Sequence, residues 1–371
     1  MAALDDPDVP EPDRVDGAPH PRRTAALFGQ DAAEAEFLAS WRAGRLHHGW
    51  LLAGPRGVGK ATLAWRIARA LVAAERGGAP DTLHMPADAP VFRRVAALGE
   101  SRVKLIRRGW DEKAGRLRTR ITVEDTRALH EFLGLSAADG GWRTVLVDPV
   151  DEMNPSAANA ILKLLEEPPA RTVMLLISHM PARLLPTIRS RCRKLVLRPL
   201  GADALIAAAA EAAPDTAAPA PALAELAGGS VGDALRLAAE GGPEIYARLL
   251  TLFAAAPGID RAALHALAES ASGPGGEARR DALGRLGALL AMRLARAAAL
   301  GRPPEIEAGP GEARLMARLA ARPAQAAIWA EAADAFTARL DRALGVNLDP
   351  GQTFLDTFLA LDAAAGRAVQ V

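Results

Sequence analysis

The stretch richest in chemistry is Gly54-Pro55-Arg56-Gly57-Val58-Gly59-Lys60-Ala61-Thr62. An apolar run, Trp50-Leu51-Leu52-Ala53, enters it, and a helical pattern of Leu63, Ile67 and Leu71 leaves it. Strand, glycine-rich turn and helix in that order are the setting of a phosphate-binding loop. Glycines let the backbone turn tightly, so that its N–H groups and the helix N-terminus aim at an anion. Gly54, Gly57, Gly59, Lys60 and Thr62 are therefore the candidate phosphate contacts, with Lys60 supplying charge to the outer phosphates. Ala61 stands where a Ser or Thr hydroxyl would hold magnesium, and a methyl group cannot ligate a metal.

A second candidate is Asp148, the acid ending the apolar run Val145-Leu146-Val147. Catalysis of phosphoryl transfer needs such an acid, a residue that orients the attacking water and a charge clamp at the transferred group. Pro149 follows the acid and has no group that could take a proton. Asp151 and Glu152 lie past the strand end. His47 and His48 have no acidic or cysteine partner at ligand spacing, which favours a structural or base-side role over a metal site.

These residues need a scaffold of strands and helices. Trp142 to Asp148 and Thr172 to Ser178 read as buried parallel strands, because their apolar runs are unbroken. Between them, Ala157 to Glu167 reads as a helix stopped by Pro168-Pro169. Ala33, Phe37, Leu38 and Trp41 mark the apolar face of an earlier helix, and another runs from about Val123 to Leu133. Strands alternating with helices predict an α/β fold, a doubly wound parallel sheet with its ligand at the strand carboxyl ends. Val103–Ile106 and Leu117–Ile121 read as a hairpin joined through 111–115. Its arginines and lysines over 102–120 suit either a nucleic-acid contact or, preferably, a solvated edge that discourages sheet pairing.

Met1 to about Arg23 is acidic, Pro-rich and aperiodic, which reads as a disordered tail. Beyond Pro199 the texture turns helical, with an Ala/Pro interruption from Pro214 to Pro221 and a Gly273–Gly276 surface loop. A chain of 371 residues suggests two or three domains. Lys+Arg 45 against Asp+Glu 44 argues against adhesion of the whole surface to nucleic acid. One cysteine, Cys192, excludes an intrachain disulfide framework and a multi-cysteine zinc site. No apolar run is long enough to span a bilayer, and the N-terminus lacks a signal-peptide composition, so a cytoplasmic location and no membrane partner are expected.

Four stretches together resemble the bacterial clamp-loader subunits of the AAA+ class, most of all those of the delta-prime type in DNA polymerase III holoenzyme. They are the loop at 54–62, Val145 to Asn154, Ala158 to Pro169, and Leu185-Pro186-Thr187-Ile188-Arg189-Ser190-Arg191-Cys192. The likeness covers roughly 24–240 well and the rest loosely, through Asn347-Leu348-Asp349-Pro350. It implies an AAA+ P-loop domain at 24–199, a small helical lid at 200–240 and a C-terminal collar-type oligomerisation domain at 241–371. It implies, too, that Arg191 is an arginine finger inserted in trans into a neighbour's ATP site. Read without the motif, Arg191 would belong to a solvated basic edge or touch DNA phosphates. Motor subunits of the family carry a glutamate where Pro149 stands and a nucleotide-sensing arginine where Gly232 stands, while Ser178 takes the first-sensor position.

The expectation is thus a subunit without independent catalysis, whose partners are gamma/tau ATPase subunits, a delta subunit, the sliding clamp and primer-template DNA. Lys60 and the glycines leave binding of ATP or ADP without hydrolysis open, and zinc is not expected. The alternatives are an ATP-hydrolysing motor using Thr62 and Glu152, or a free-standing DNA-repair ATPase using the basic hairpin.

Overall fold

The computed structural model describes residues 10–15, 18–74, 77–134, 140–213, 221–270, 276–345 and 348–371. These fall into two compact units. One holds the described residues through 213 together with Gly229–Gly232; the other holds 221–228 and the described residues from 233 onward.

In the first unit the helix α1 (Asp31–Arg42) precedes strand β1 (Gly49–Ala53), α2 (Lys60–Ala74) and α3 (Pro90–Ala96). Strand β2 (Val103–Ile106), a short antiparallel pair β3 (Trp110–Asp111) and β4 (Arg116–Leu117), and helix α4 (Val123–Gly134) follow. Then come β5 (Arg143–Val147), α5 (Pro155–Glu166), β6 (Thr172–Ser178), α6 (Pro186–Ser190), β7 (Arg193–Val196) and α7 (Ala202–Ala212). Five strands form a parallel sheet in the order β2-β5-β6-β1-β7. Every residue of β1, β5 and β6 is buried. Side chains alternate between the two faces of a strand. Trp50 and Leu52 accordingly pack with Phe37, Trp41, Leu63 and Trp65 of α1 and α2. Leu51 and Ala53 face Leu129, Ile161 and Ile188 of α4, α5 and α6. Both faces covered is the condition under which a parallel sheet is stable, and it explains the unbroken apolar runs. Asn154 caps α5 by accepting the Ala157 N–H at 2.8 Å, and Pro155 occupies the first turn, where a missing N–H costs nothing.

Two expectations need correction. Val103–Ile106 is not one arm of a hairpin. It joins the main sheet beside β5, and the antiparallel pair is confined to two residues a side. The pattern of four apolar-rich residues is the same in both cases, so only the partner strand decides. The tail expectation also fails for the described residues 10–15 and 18–23; residues 1–9 and 16–17 lie outside the described residues. Glu11 pairs with Arg22 and with Arg107 at 3.4 Å. Asp13 pairs with Arg107 at 2.6 Å and His20 at 3.0 Å. His20 and Arg22 are themselves buried, and Arg69 of α2 donates to the carbonyls of Arg22 and Thr24 at 2.9 Å each. The acids that suggested disorder are in fact partners for distant cations. The described residues of 200–240 divide between the two units. α7 belongs to the sheet unit, while Leu223, Leu226 and Leu237 join the core of the helical unit.

The ion pairs of this N-terminal strap set its pH response. Burial would raise the carboxyls of Glu11 and Asp13, but the hydrogen bonds and charges of Arg22, His20 and Arg107 outweigh it and hold both below their usual range. Groups with depressed folded pKa values stabilise above the unfolded pKa, and that contribution disappears as pH falls through the folded value. The strap is therefore expected to stay docked at neutral pH and to loosen at roughly pH 4 and below. The amide resonance of Arg22, which donates to His20 Nδ1 at 3.0 Å, would report the change; an unmoved resonance in acid would refute it.

The second unit is all helical: α8 (Pro221–Leu226), α9 (Val231–Ala239, from Asp233 onward), α10 (Gly242–Phe253), α11 (Arg261–Glu269), α12 (Glu277–Leu300), α13 (Glu312–Leu319), α14 (Ala326–Gly345) and α15 (Pro350–Gln370). Phe253, Leu286, Leu290, Trp329, Phe336 and Phe358 lie in one continuous core. Gly287 lets α12 approach closely, since a Cβ there would sit 2.4 Å from the Phe336 ring. Within this core Glu312 is completely buried. It accepts from Tyr246 Oη and Arg293 Nε at 2.6 Å each, and from the Ala308 N–H at 2.6 Å. The Pro214–Pro221 interruption (but for Pro221), the loop at 273–275 and Asn347 lie outside the described residues. Among the described residues no helix is long and apolar enough to cross a membrane.

Candidate nucleotide cradle and arginine finger

The loop 54–59 leaves the carboxyl end of β1, and α2 begins at Lys60. Two glycines are required by close approach as well as by backbone angle. Gly54 has φ +156 and a Cβ there would lie 2.2 Å from the Leu197 carbonyl oxygen; Gly57 has φ +73 and a Cβ would lie 2.0 Å from Ser230 Oγ. The loop lysine finds its partners within the chain itself. Lys60 Nζ donates to the Gly54 carbonyl at 2.7 Å and to that of Pro55. Burial pushes the Lys60 ammonium down to about 8, against the charges of Asp148 and Asp151. The Val231 N–H donates to the Gly57 carbonyl at 3.0 Å, which seats Ser230–Gly232 on the loop. Gln30 ties the loop to the segment after β7, donating to the carbonyls of Val58 at 3.0 Å and Arg198 at 2.7 Å. Its position ahead of α1 carried no sequence signal for that role.

Asp148 follows β5, and its N–H donates to the Ile106 carbonyl at 2.9 Å. Its carboxyl is buried, and burial, reinforced by the nearby Asp13, pushes its pKa well up while Lys60 opposes. The Asp148–Pro149 bond is cis and leads into a 3-10 turn over Val150–Glu152. That turn swings Asp151 over the end of β6, where it accepts from Ser178 Oγ at 2.8 Å and from the His179 N–H. Glu152 is held by Arg108 at 2.8 Å and Arg56 at 3.4 Å. Both acids thus have partners within the chain. Thr62 is one helical step, about 100°, beyond Ala61 and so points to a different side of α2. Among the described residues no group of three or more His, Cys, Asp or Glu is arranged to hold a metal.

Arg191 sits at the opposite end of the sheet. Its carbonyl oxygen would lie 3.2 Å from a Cβ on Gly49, the first residue of β1, and β7 starts two residues later beside Trp50. Five strand residues at ~3.3 Å each put about 17 Å between that end and the loop at Gly54. An arginine side chain cannot cover this distance. Arg191 and the cradle therefore do not form one site. His47 and His48 lie at the same amino end. His48 Nε2 is 3.0 Å from the Leu165 carbonyl, so the pair is structural rather than base-side. Cys192 is partly buried among Leu165 and Gly49, and burial raises its thiol to about 12, which leaves it inert. Much of the basic character of 102–120 is internally neutralised: Arg102 pairs with Glu100, Arg107 with Asp13, Arg108 with Glu152 and Arg118 with Asp125. That favours the solvated, self-paired reading of this segment over a nucleic-acid surface.

A family profile described as "DNA polymerase III, delta subunit" matches residues 29–201. The subunit delta' of DNA polymerase III from Pseudomonas aeruginosa is 38% identical over 206 residues, 55% of this chain and 59% of that protein. Its counterpart from Escherichia coli is 33% identical over 44% of this chain and 46% of that protein. The tau subunit of Salmonella typhimurium is 30% identical over 49% of this chain and 26% of that protein. A solved gamma-subunit-related protein from Thermotoga maritima superposes with TM-score 0.37 and 19% identity, covering 90% of this chain and 99% of that one. The chain thus spans less than two thirds of the length of the curated relatives it matches. Residues 29–201, less than half of the chain, thus resemble the clamp-loader subunits of bacterial DNA polymerase III, and of the relatives named here the delta-prime subunits show the higher identities.

Proposed function

We propose that this protein is a non-hydrolysing delta-prime-type subunit of the DNA polymerase III clamp loader, lending Arg191 to the ATP site of an adjacent gamma/tau-type motor subunit. Its further partners in this reading are the delta subunit, the sliding clamp and primer-template DNA, with the ring placing the clamp on the primed template. The observation that carries the proposal is the separation of finger and cradle to opposite ends of β1. A guanidinium so placed serves a phosphate only across an interface, where it stabilises charge developing on the transferred group. The 241–371 helices would hold the ring together.

The chain's own cradle supports the non-hydrolysing half. Its three glycines take positive φ, as a phosphate loop needs, so Gly54, Gly57, Gly59, Lys60 and Thr62 with Asp148 are the residues that would meet ATP or ADP. When bound, nucleotide would supply only occupancy there. Ala61 offers no metal ligand, Pro149 offers no base, and Asp151 and Glu152 are engaged elsewhere. Lys60 must also give up two carbonyl bonds, each worth about 1 kcal/mol, before it can meet a phosphate. The motor alternative relies on Thr62 and Glu152, and the ion pairs of Glu152 speak against it. Self-paired arginines in 102–120 likewise speak against a free-standing DNA-repair ATPase.

The purified subunit is expected to show no ATP turnover, and Ala61→Thr alone is expected to create none. A coupled ATPase assay checks both. Turnover abolished by Lys60→Ala would sink the proposal.

A further inference from the structure

The side chain of Arg191 is held by its own chain. Its Nη2 lies 2.9 Å from a carboxylate oxygen of Glu166, and its Nη1 donates to the Thr187 carbonyl at 3.1 Å. The backbone beneath it has little freedom. Arg191 closes α6, its N–H donating to the Ile188 carbonyl at 3.2 Å, and the chain enters β7 two residues later. Glu166 is equally fixed as the last residue of α5, whose Ile161 and Leu165 are buried against the sheet. Only the two side-chain tips can move, and they are 36% and 49% exposed.

We propose that Glu166 is a positioning residue that parks Arg191. Its carboxylate stands in for the phosphate the finger will meet and holds the guanidinium between the end of α5 and the Thr187 carbonyl of α6. Glu166 yields the guanidinium when a neighbouring subunit presents a nucleoside triphosphate. This rests on the trans-finger reading above and adds its regulation. The geometry suits an exchange and not a lock. A partly exposed ion pair contributes little, because water and salt screen it, whereas a buried pair would hold the finger against several-fold larger forces. A triphosphate carries more negative charge than one carboxylate and accepts the planar fork at two oxygens, so it wins the guanidinium. The parked state then reduces apparent affinity by the fraction of finger it sequesters.

The test uses the reconstituted complex of this chain with gamma/tau-type motor subunits, measuring kcat and KM for ATP. Glu166→Gln, at an exposed helix end and therefore compatible with folding, is expected to lower KM by about 2- to 5-fold with kcat unchanged, equivalent to about 0.4–1 kcal/mol. Glu166→Asp, which keeps the charge, should remain nearer wild type. In an Arg191→Ala background Glu166→Gln should change nothing. An unchanged or raised KM in Glu166→Gln, with Arg191→Ala still impairing hydrolysis, overturns the parking role alone. A Glu166→Gln effect that persists without Arg191 also overturns it, since the residue would then act structurally. An Arg191→Ala complex with full activity overturns the trans-finger reading together with this one.

Discussion

Replacing Arg191 by alanine is expected to lower hydrolysis at the one motor site it faces by about 10³-fold or more, the contribution usual for an arginine supplied in trans. The measurement is single-turnover ATPase of the reconstituted complex with the remaining motor sites silenced by loss of their loop lysines. The fold should be untouched. Arg191 is partly exposed and its ion pair with Glu166 is a surface pair, so stability should shift by no more than about 0.5 kcal/mol. Arg191→Lys should rescue poorly, because an ammonium cannot span two phosphate oxygens. Loss of activity together with loss of assembly would point to a structural arginine instead. Full activity in the alanine variant would end the finger reading.

The second large effect concerns stability and lies in the helical unit. Glu312→Ala is expected to destabilise that unit by about 3–5 kcal/mol, read as a shift in its urea unfolding midpoint. Glu312 is fully buried and satisfies the Arg293 guanidinium through Nε at 2.6 Å and Nη2 at 3.0 Å, besides the Tyr246 hydroxyl and the Ala308 N–H. Removing it takes the closest carboxylate from Arg293, which keeps only Glu225 at 3.0 Å and the Ile306 carbonyl at 3.2 Å, and leaves the Tyr246 hydroxyl and the Ala308 N–H without their acceptor. Burial pushes the Tyr246 hydroxyl above its usual pKa, and the adjacent Glu312 charge adds to the rise, so Tyr246 remains a donor throughout the physiological range. Tyr246→Phe, which removes one donor and leaves the Arg293 pair intact, should cost only about 1 kcal/mol. Equal losses from the two variants would show that charge is not what the network protects.

The loop, β5, β6 and α5 were legible because each is local: glycine spacing, unbroken apolar runs and a proline stop act within a dozen residues. The partners of charged residues were not. Arg107 meets Asp13 across 94 positions, and Gln30 meets Arg198 across 168. No periodicity encodes such pairs. The acidic, Pro-rich composition that suggested disorder is the same composition that supplies Glu11 and Asp13 to Arg22 and Arg107. For β2 the apolar pattern was read correctly as a strand, but the choice between a hairpin and the main sheet depended on β5, some forty residues away. Asp151 and Glu152 were placed past the strand end, and the 3-10 turn after Pro149 determines which groups they meet. The separation of Arg191 from the cradle required the parallel pairing of β7 with β1, which only the assembled sheet reveals.

That separation gives the molecule a front and a back. If Arg191 serves a neighbour as proposed, a subunit with its cation at one edge and its anion cradle at the other would join its neighbours head to tail and not by a two-fold handshake. In such a train each contact is a donor meeting a receiver. On the proposed reading, a protomer that gives a finger but does not itself hydrolyse would have a place at only one end. It would leave a single silent junction, and a ring with one silent junction has a natural seam at which to part.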